Sequence, residues 1–345
     1  MIEELSLKNF KGIREGRLKL SPLTILLGGN NSGKTTILEA LFLAPNPFRS
    51  VPYSIGNRRV AVEVVNSLHQ TLNSEGYGFL LNKYTAENAE IRCRVKDGEI
   101  LLRFLRIGDQ IEVSTNKAEV SHHIINFRGK EIRSFGSLSV SSFAIPSIKH
   151  SGLFLPNSLL ISSRLINPAY DYIEQNWASI INLGIGVKVA EEASQLSREK
   201  YKDITIEPFL GRTLAVYAYR EDGTRIRLGD LGEGMQSYII SRMLYEVEKP
   251  NILLWDDVEA HFNPRILLRI AEWFYDITAA NKQVVLTTHS LEAARTIAGF
   301  SEEIARIYLL SLEDGVLKTR EMKLEDVEEL LKAGVDVRVA EPLLL

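Results

Sequence analysis

The chain has 345 residues, 45% of them hydrophobic and 25% charged, which is typical of a globular protein with a large core. Its 41 basic and 44 acidic side chains give a formal net charge of -3, so a polyanionic partner would need a local basic patch. The lone cysteine, Cys93, excludes an intramolecular disulfide and a cysteine zinc site. Because the apolar runs are short and the N-terminus carries Glu3 and Glu4, we expect a cytoplasmic protein without a membrane span.

The first 44 residues have the pattern of strands followed by one helix. Residues 2–8 and 17–20 alternate apolar and polar side chains, which predicts half-buried strands. The continuous apolar run at 23–27 predicts a fully buried strand. Residues 35–43 predict a helix, which the prolines that follow bring to an end.

A glycine-rich segment joins the buried strand to that helix and matches G-x-x-x-x-G-K-[ST] at every fixed position. It consists of Gly28, Gly29, Asn30, Asn31, Ser32, Gly33, Lys34 and Thr35. Glycines let backbone N–H groups converge on phosphate oxygens, and the helix N-terminus adds its dipole. We therefore predict an ATP site in which Lys34 reaches the β- and γ-phosphates, Thr35 ligates Mg²⁺ and Thr36 also binds the nucleotide. A chance glycine-rich turn is the alternative, and the flanking strand and helix argue against it.

The middle of the chain, residues 45–201, has a mixed pattern. Helices are predicted at 59–72, 167–183 and 187–201, and a hairpin of two strands at 89–96 and 99–107. Arg92, Arg94 and Lys96 alternate with apolar residues, so period two puts the three charges on one strand face. Such a stripe could contact DNA phosphates, or it could be a solvated face whose charges oppose aggregation.

The last third of the chain alternates strands with helices, which predicts a mostly parallel sheet covered on both faces. Strands are expected at 213–219, 224–228, 252–255 and 283–287, helices at 234–248 and 264–280, and a final hairpin within 302–322. The strand at 252–255 has the Walker B pattern of apolar residues ending in an acid, Asp256. This carboxylate should emerge beside the P-loop and hold Mg²⁺ through water.

Four segments together resemble ABC ATPases, in particular the SMC/RecF/OLD-like branch. Residues 7–12 (LKNFKG) resemble the opening of that branch, 231–236 (LGEGMQ) its signature motif, 256–261 (DDVEAH) its Walker B and D-loop, and 284–289 (VVLTTH) its switch-histidine strand. The resemblance implies an α/β fold of the ABC-ATPase P-loop type, with a mixed sheet covered by helices. It also implies an ATP-binding domain made of residues 1–44 and 202–345, interrupted by an α+β and helical insert at 45–201.

The resemblance also implies roles for individual residues. Lys34 would act on the phosphates in catalysis, and His289 would contact the γ-phosphate. Gly232, Glu233 and Gly234 would contact the γ-phosphate of a second subunit, so that ATP is sandwiched in a homodimer. Asp257 stands where the family has its catalytic glutamate, and slow hydrolysis is expected because its carboxylate is one methylene further from the water. Glu259 is the competing candidate for the general base.

Three features of the sequence limit the function. The signature is not the L-S-G-G-Q of transporters, the interval between the Walker motifs lacks the heptads of a coiled-coil arm, and no Toprim nuclease motif is visible. Ser162, Ser163 and Arg164 occupy the region of the Q-loop, where Arg164 could reach nucleotide or form a structural salt bridge. We expect ATP binding and slow hydrolysis coupled to dimerisation, in DNA repair or defence against foreign DNA, with a separate effector such as a nuclease. A non-hydrolysing ATP switch that recruits a partner is the alternative, and a transporter subunit is disfavoured.

Overall fold

The computed structural model describes residues 1–56, 58–72, 74–116, 122–129, 131–135, 157–211, 213–337 and 345. Its strands are β1 (Ile2–Phe10), β2 (Ile13–Lys19), β3 (Leu23–Gly28), β4 (Ser50–Ile55), β5 (Arg58–Val60), β6 (Asn88–Val95), β7 (Gly98–Ile107), β8 (Gln110–Thr115), β9 (His122–Asn126), β10 (Ile132–Phe135), β11 (Ser158–Ile161), β12 (Tyr201–Phe209), β13 (Thr213–Arg220), β14 (Arg225–Arg227), β15 (Ile252–Trp255), β16 (Gln283–Thr288), β17 (Ala305–Glu313) and β18 (Val316–Met322). Its α-helices are α1 (Lys34–Leu43), α2 (Ala61–His69), α3 (Tyr170–Gln175), α4 (Trp177–Asn182), α5 (Ile185–Ser194), α6 (Glu233–Glu248), α7 (Pro264–Ala279), α8 (Leu291–Gly299) and α9 (Leu324–Lys332).

One large sheet organises the molecule, and it is mixed as predicted. Its thirteen strands lie in the order β10-β9-β8-β7-β6-β1-β2-β18-β17-β3-β16-β15-β11. The strands from β17 to β11 are parallel, whereas those from β10 to β2 pair antiparallel. The carboxyl ends of β3, β16 and β15 therefore lie side by side, at the position where parallel α/β sheets bind their ligands.

The buried strand β3 lies between β17 and β16, and all six of its residues are buried. Helix α1 follows and packs against β3, β16, β15 and β11. On β15, Trp255 packs edge-on against Phe262, Trp273 and Phe274, with ring centroids 5.8 to 5.9 Å apart. These aromatic contacts fix the end of the strand from which Asp256 emerges.

The segment at 45–201 adds strands at both edges of the large sheet. Strands β6 to β10 continue it beyond β1, and β11 pairs in parallel with β15 at the opposite edge. A separate three-stranded sheet, β12-β13-β14, follows α5. The middle of the chain therefore shares hydrogen bonds with the strands that carry the motifs.

Three predicted helices of the middle region differ from the structure. The helix expected at 187–201 ends at Ser194, whose hydroxyl accepts from Tyr201 N at 2.7 Å, and Tyr201 begins a strand instead. The helix expected at 167–183 is broken at Asn176, whose ψ of 13° leaves the helical range. The helix expected at 59–72 starts only at Ala61, because residues 58–60 pair with β4.

Candidate nucleotide-binding and catalytic site

The P-loop makes a tight connection between β3 and α1. Gly33 has a φ of +91°, in the left-handed region that favours glycine. A Cβ on Gly28 would lie 2.5 Å from the carbonyl oxygen of Leu310, so no larger residue fits there without movement. Within the loop, Ser32 Oγ donates to Gly29 O at 2.9 Å. Close backbone approach of this kind is what phosphate binding needs.

Lys34 is buried and curls back over the loop. Its Nζ donates to the carbonyl oxygens of Gly28 at 2.9 Å and Gly29 at 2.7 Å. The ammonium is therefore held at the mouth of the loop. A lysine in this position suits the charge of a triphosphate.

Thr35 and Asp256 approach each other across the gap between α1 and β15. Thr35 Oγ1 donates to Asp256 Oδ1 at 3.1 Å, and Thr287 Oγ1 donates to the same oxygen at 2.8 Å. Burial raises the pKa of Asp256 above its ordinary value, the hydrogen bond from Thr287 opposes this, and the charge of Asp257 adds to it. A bound cation would favour the ionised carboxylate that burial disfavours. A hydroxyl beside a carboxylate is a suitable pair of oxygen ligands for Mg²⁺.

Asp257 lies on the same side of the sheet as Asp256 because the chain turns there. Its φ of +50° is left-handed, and its amide donates to Thr287 Oγ1 at 2.8 Å. Its side chain is 51% exposed, and its Oδ1 lies 3.7 Å from His289 Nε2. The two acids and the histidine thus form one open cluster at the carboxyl edge of the sheet.

The signature segment lies against the D-loop of its own chain. Gly232 is exposed and precedes α6, and Glu233 Oε2 lies 2.7 Å from His261 Nδ1. A Cβ on Gly234 would lie 2.4 Å from the carbonyl oxygen of His261, so a glycine is required there. The signature and the D-loop are therefore packed as one unit.

Sequence reasoning missed two features of this region. Thr287 bonds both acids, whereas its sequence context predicts only a residue of a buried strand. Glu39, buried on α1, bonds to Lys11 and also lies 2.5 Å from His69 Nε2. A charged residue on the buried face of the helix was the available signal for this second cluster.

The basic stripe on β6 is paired with acids. Arg92 lies 3.1 Å from Glu99, and Arg94 lies 3.3 Å from Glu4. Lys96 follows the end of the strand, in the turn, and does not share its face. This pairing favours the solvated-face interpretation of the stripe.

Arg164 bonds to the backbone of helix α2. Its Nη1 donates to the carbonyl oxygen of Leu68 at 2.8 Å, so it binds the last turn of α2.

Among the residues that the structure describes, no helix is long and apolar enough to cross a bilayer. No cluster of three or more His, Cys, Asp or Glu in those residues is arranged around a metal position.

Solved structures with this fold are head domains of SMC proteins. One is an SmcHead bound to the C-winged helix domain of ScpA, with a TM-score of 0.56 and 16% identity over 95% of this chain and 99% of the other. An Smc head domain with an extended coiled coil, bound to the C-terminal domain of ScpA and derived from Pyrococcus furiosus, has a TM-score of 0.54 and 14% identity over 96% and 98%. The Smc head domain derived from Pyrococcus yayanosii has a TM-score of 0.54 and 11% identity over 96% and 99%. At such identities the likeness shows the fold.

Two curated relatives match over short segments. The DNA double-strand break repair Rad50 ATPase of Methanopyrus kandleri is 40% identical over 70 residues, which is 19% of this chain and 8% of the relative. The uncharacterized protein MJECL10 of Methanocaldococcus jannaschii is 52% identical over 44 residues, or 12% of this chain and 20% of the relative. The chain thus spans a small part of the length of either relative.

A protein family matches residues 23–294, from the P-loop strand to helix α8. Its description is "AAA domain, putative AbiEii toxin, Type IV TA system". The match includes both Walker segments, the signature, the D-loop and the switch histidine. The chain therefore belongs to this family and is a P-loop ATPase with the ABC-type fold of SMC heads.

Proposed function

We propose that the protein binds Mg·ATP at the P-loop and hydrolyses it slowly, in a cycle coupled to head-to-head dimerisation. The observation that carries this proposal is the cluster of Thr35, Asp256, Thr287, Asp257 and His289 at one edge of the sheet. It places two oxygen ligands suited to Mg²⁺, from Thr35 and Asp256, beside a second, exposed carboxylate and a histidine. Such an arrangement suits phosphoryl transfer to water.

Each residue has a separate task in this proposal. Lys34 neutralises phosphate charge. Thr35 and Asp256 would hold Mg²⁺, which would draw charge from the phosphate oxygens when bound. Asp257 orients the attacking water and accepts its proton, since its carboxylate is exposed and not enclosed with Asp256. His289 donates towards the γ-phosphate. Water adds to the γ-phosphorus, and ADP leaves with the electron pair of the broken bond.

Dimerisation completes the site in this proposal. Gly232 and Glu233 are exposed at the start of α6, where the backbone N–H groups of the helix N-terminus suit the γ-phosphate of a second copy. The Rad50 relative supports a role in DNA repair, and the description of the family supports one in defence. The SMC heads bound to ScpA support a partner protein, such as a separate nuclease, and DNA is a possible further partner.

Turnover and ATP affinity test the proposal together. Purified protein should release phosphate from ATP only with Mg²⁺, and Lys34→Ala should bind no ATP in calorimetry while keeping its thermal unfolding transition. Unchanged ATP affinity of Lys34→Ala would refute the P-loop assignment. A second candidate, the non-hydrolysing switch, is favoured by the shorter carboxylate of Asp257, which stands where the resembled family has its catalytic glutamate. Tight ATP binding without phosphate release would decide for that candidate.

A further inference from the structure

The D-loop glutamate, Glu259, bonds to the backbone that carries the switch histidine. Its Oε1 accepts from the amide of His289 at 2.7 Å and from the amide of Ser290 at 3.1 Å. Ser290 is the N-cap of α8, and its own Oγ accepts from Ala293 N at 3.1 Å. One carboxylate oxygen thus satisfies two of the amides that open this helix, where negative charge is also favoured by the helix dipole.

We propose that Glu259 is a positioning residue for ATP hydrolysis, which holds His289 towards the nucleotide, and that it is not the general base. This inference rests on the proposed function, since it assigns a role within the same site. Glu259 Oε1 is already occupied by two backbone donors. A charged acceptor with two N–H donors forms strong hydrogen bonds, so this oxygen is poorly placed to take a proton from water.

The backbone around Glu259 fixes the D-loop beside the end of β16. Val258 N donates to Thr287 O at 3.1 Å, so the D-loop continues alongside the strand. Asp257 and His261 on either side have φ values of +50° and +66°, which non-glycine residues adopt at a cost. Backbone strain of this kind persists where the surrounding structure imposes it. The left-handed turns at these two residues bring the side chain of Glu259 to the amides of His289 and Ser290, which follow β16.

The second carboxylate oxygen of Glu259 is also informative. Among the residues that the structure describes, Oε2 is buried and has no hydrogen-bond partner. An unpaired buried oxygen costs free energy, and glutamine could place its NH₂ group at that position while keeping the Oε1 acceptor. Glutamine is therefore a conservative replacement if Glu259 positions a loop, and a disabling one if it takes a proton.

The first measurement is backbone hydrogen exchange of the parent protein, Glu259→Gln and Glu259→Ala. Loss of the acceptor in Glu259→Ala should speed exchange of the His289 amide by about tenfold or more, and Glu259→Gln should lie between it and the parent. Glu272→Gln is the matched control, because Glu272 on α7 pairs with Arg269 at 2.7 Å and is 46% exposed. An unchanged His289 amide in both Glu259 variants would overturn the proposal.

The second measurement is steady-state ATP hydrolysis by the same variants. Misplacing His289 should lower the kcat of Glu259→Ala by about a hundredfold and that of Glu259→Gln by less than about tenfold. The KM for ATP should stay within about twofold, since the P-loop residues that bind the triphosphate are untouched. Glu259→Gln as inactive as Glu259→Ala, with a protected His289 amide, would identify a general base instead. Parent-like kcat in both variants would also overturn the role.

The two measurements distinguish a failure of the positioning role of Glu259 from a failure of the proposed ATP hydrolysis. If the parent protein releases no phosphate, hydrolysis as proposed is wrong, and hydrogen exchange alone then decides whether Glu259 holds the His289 loop. If Glu259→Ala does not fold, Glu259→Met, which also removes the acceptor but keeps most of the side-chain volume, supplies both readouts. A Glu259→Met protein with parent exchange and parent kcat would then overturn the proposal.

Discussion

At the scale of single residues, the carboxylate of Asp256 lowers the stability of the nucleotide-free fold, and in the proposed function the same group holds Mg²⁺. Its carboxylate is partly buried, and burial raises its pKa above the ordinary value of 3.8. The ionised form is therefore disfavoured in the folded protein, and the cost appears as pH rises through the raised pKa. The hydroxyls of Thr35 and Thr287 donate to it and would serve an amide oxygen equally well.

We expect Asp256→Asn to stabilise the nucleotide-free protein while removing its activity. Recovering about 1 kcal/mol of burial cost would raise the Tm of a chain this large by roughly 2 °C. The variant should also lose the parent's decline in stability as pH rises above the ordinary Asp range. Thermal unfolding from pH 4 to pH 8, without Mg²⁺ or ATP, measures both effects. A lower Tm than the parent at neutral pH would contradict the prediction.

Asp257 is the second residue whose replacement discriminates between mechanisms. Asn tolerates the left-handed backbone at φ +50°, so Asp257→Asn should keep the fold and bind ATP. Its rate of phosphate release should fall by about a hundredfold or more. Asp257→Glu adds a methylene in an exposed site and should keep or raise kcat. Phosphate release and ATP calorimetry on the two variants measure this. Hydrolysis at the parent rate in Asp257→Asn would exclude the general-base role.

At the scale of elements, helix α1 is tied to its neighbours through the buried carboxylate of Glu39. Its side chain is 1% exposed and that of its partner Lys11 is 9% exposed. Burial alone would raise the pKa of Glu39, but the charge of Lys11 and the hydrogen bond and charge of His69 lower it below the ordinary 4.5. The Glu39 carboxylate thus contributes stability above that range, and the contribution is lost as pH falls through the lowered pKa. Burial lowers the pKa of Lys11 despite the charge of Glu39, so burying the ammonium offsets part of that contribution.

Replacing only one residue of the Lys11–Glu39 pair should lower the free energy of unfolding more than replacing both. Glu39→Met leaves the Lys11 ammonium buried without its carboxylate and should lower the free energy of unfolding by about 3 kcal/mol. The double variant Lys11→Met/Glu39→Met should be closer to the parent than Glu39→Met, because neither charge of the pair is left without its partner. Urea denaturation of the parent, Lys11→Met, Glu39→Met and the double variant gives the coupling energy. Additive losses in this cycle would show that the charges do not interact.

Local patterns were sufficient to predict the elements around the P-loop. The strand expected at 252–255 has those bounds in the structure, and the helix expected at 35–43 begins one residue earlier. Apolar periodicity could not predict the end of α5, because Ser194 stops it by bonding to Tyr201, a contact that only exists in the fold. Likewise, the bond from Glu259 to the His289 amide depends on the register of β15 beside β16, together with the left-handed turn at Asp257. Motif spacing does not encode such geometry.

At the scale of the whole molecule, the close packing of α6 on the D-loop decides which variant can test dimerisation. Gly234 lies in the segment expected to contact the second subunit's nucleotide, so a bulky side chain there would be one way to test dimerisation. Its Cβ would meet the carbonyl oxygen of His261 at 2.4 Å, so any side chain there would disturb the monomer as well. A Cβ on Gly232 meets no atom within 4 Å among the residues that the structure describes, and Gly232 is exposed. Gly232 is therefore the position at which the monomer tolerates a large side chain.

We expect Gly232→Arg to block dimerisation without blocking ATP binding. In an Asp257→Asn background, ATP and Mg²⁺ should double the sedimenting mass of the otherwise unchanged protein, whereas Gly232→Arg should remain monomeric because its side chain occupies the surface offered to the second nucleotide. Gly299→Arg is the matched control, since Gly299 is exposed at the far end of α8 and its Cβ would make only an ordinary contact at 4.0 Å. Calorimetry should give both arginine variants ATP affinities within about twofold of the background protein, because the P-loop of each chain is intact. A Gly232→Arg protein that dimerises with ATP as the control does would show that the signature segment does not form the dimer contact.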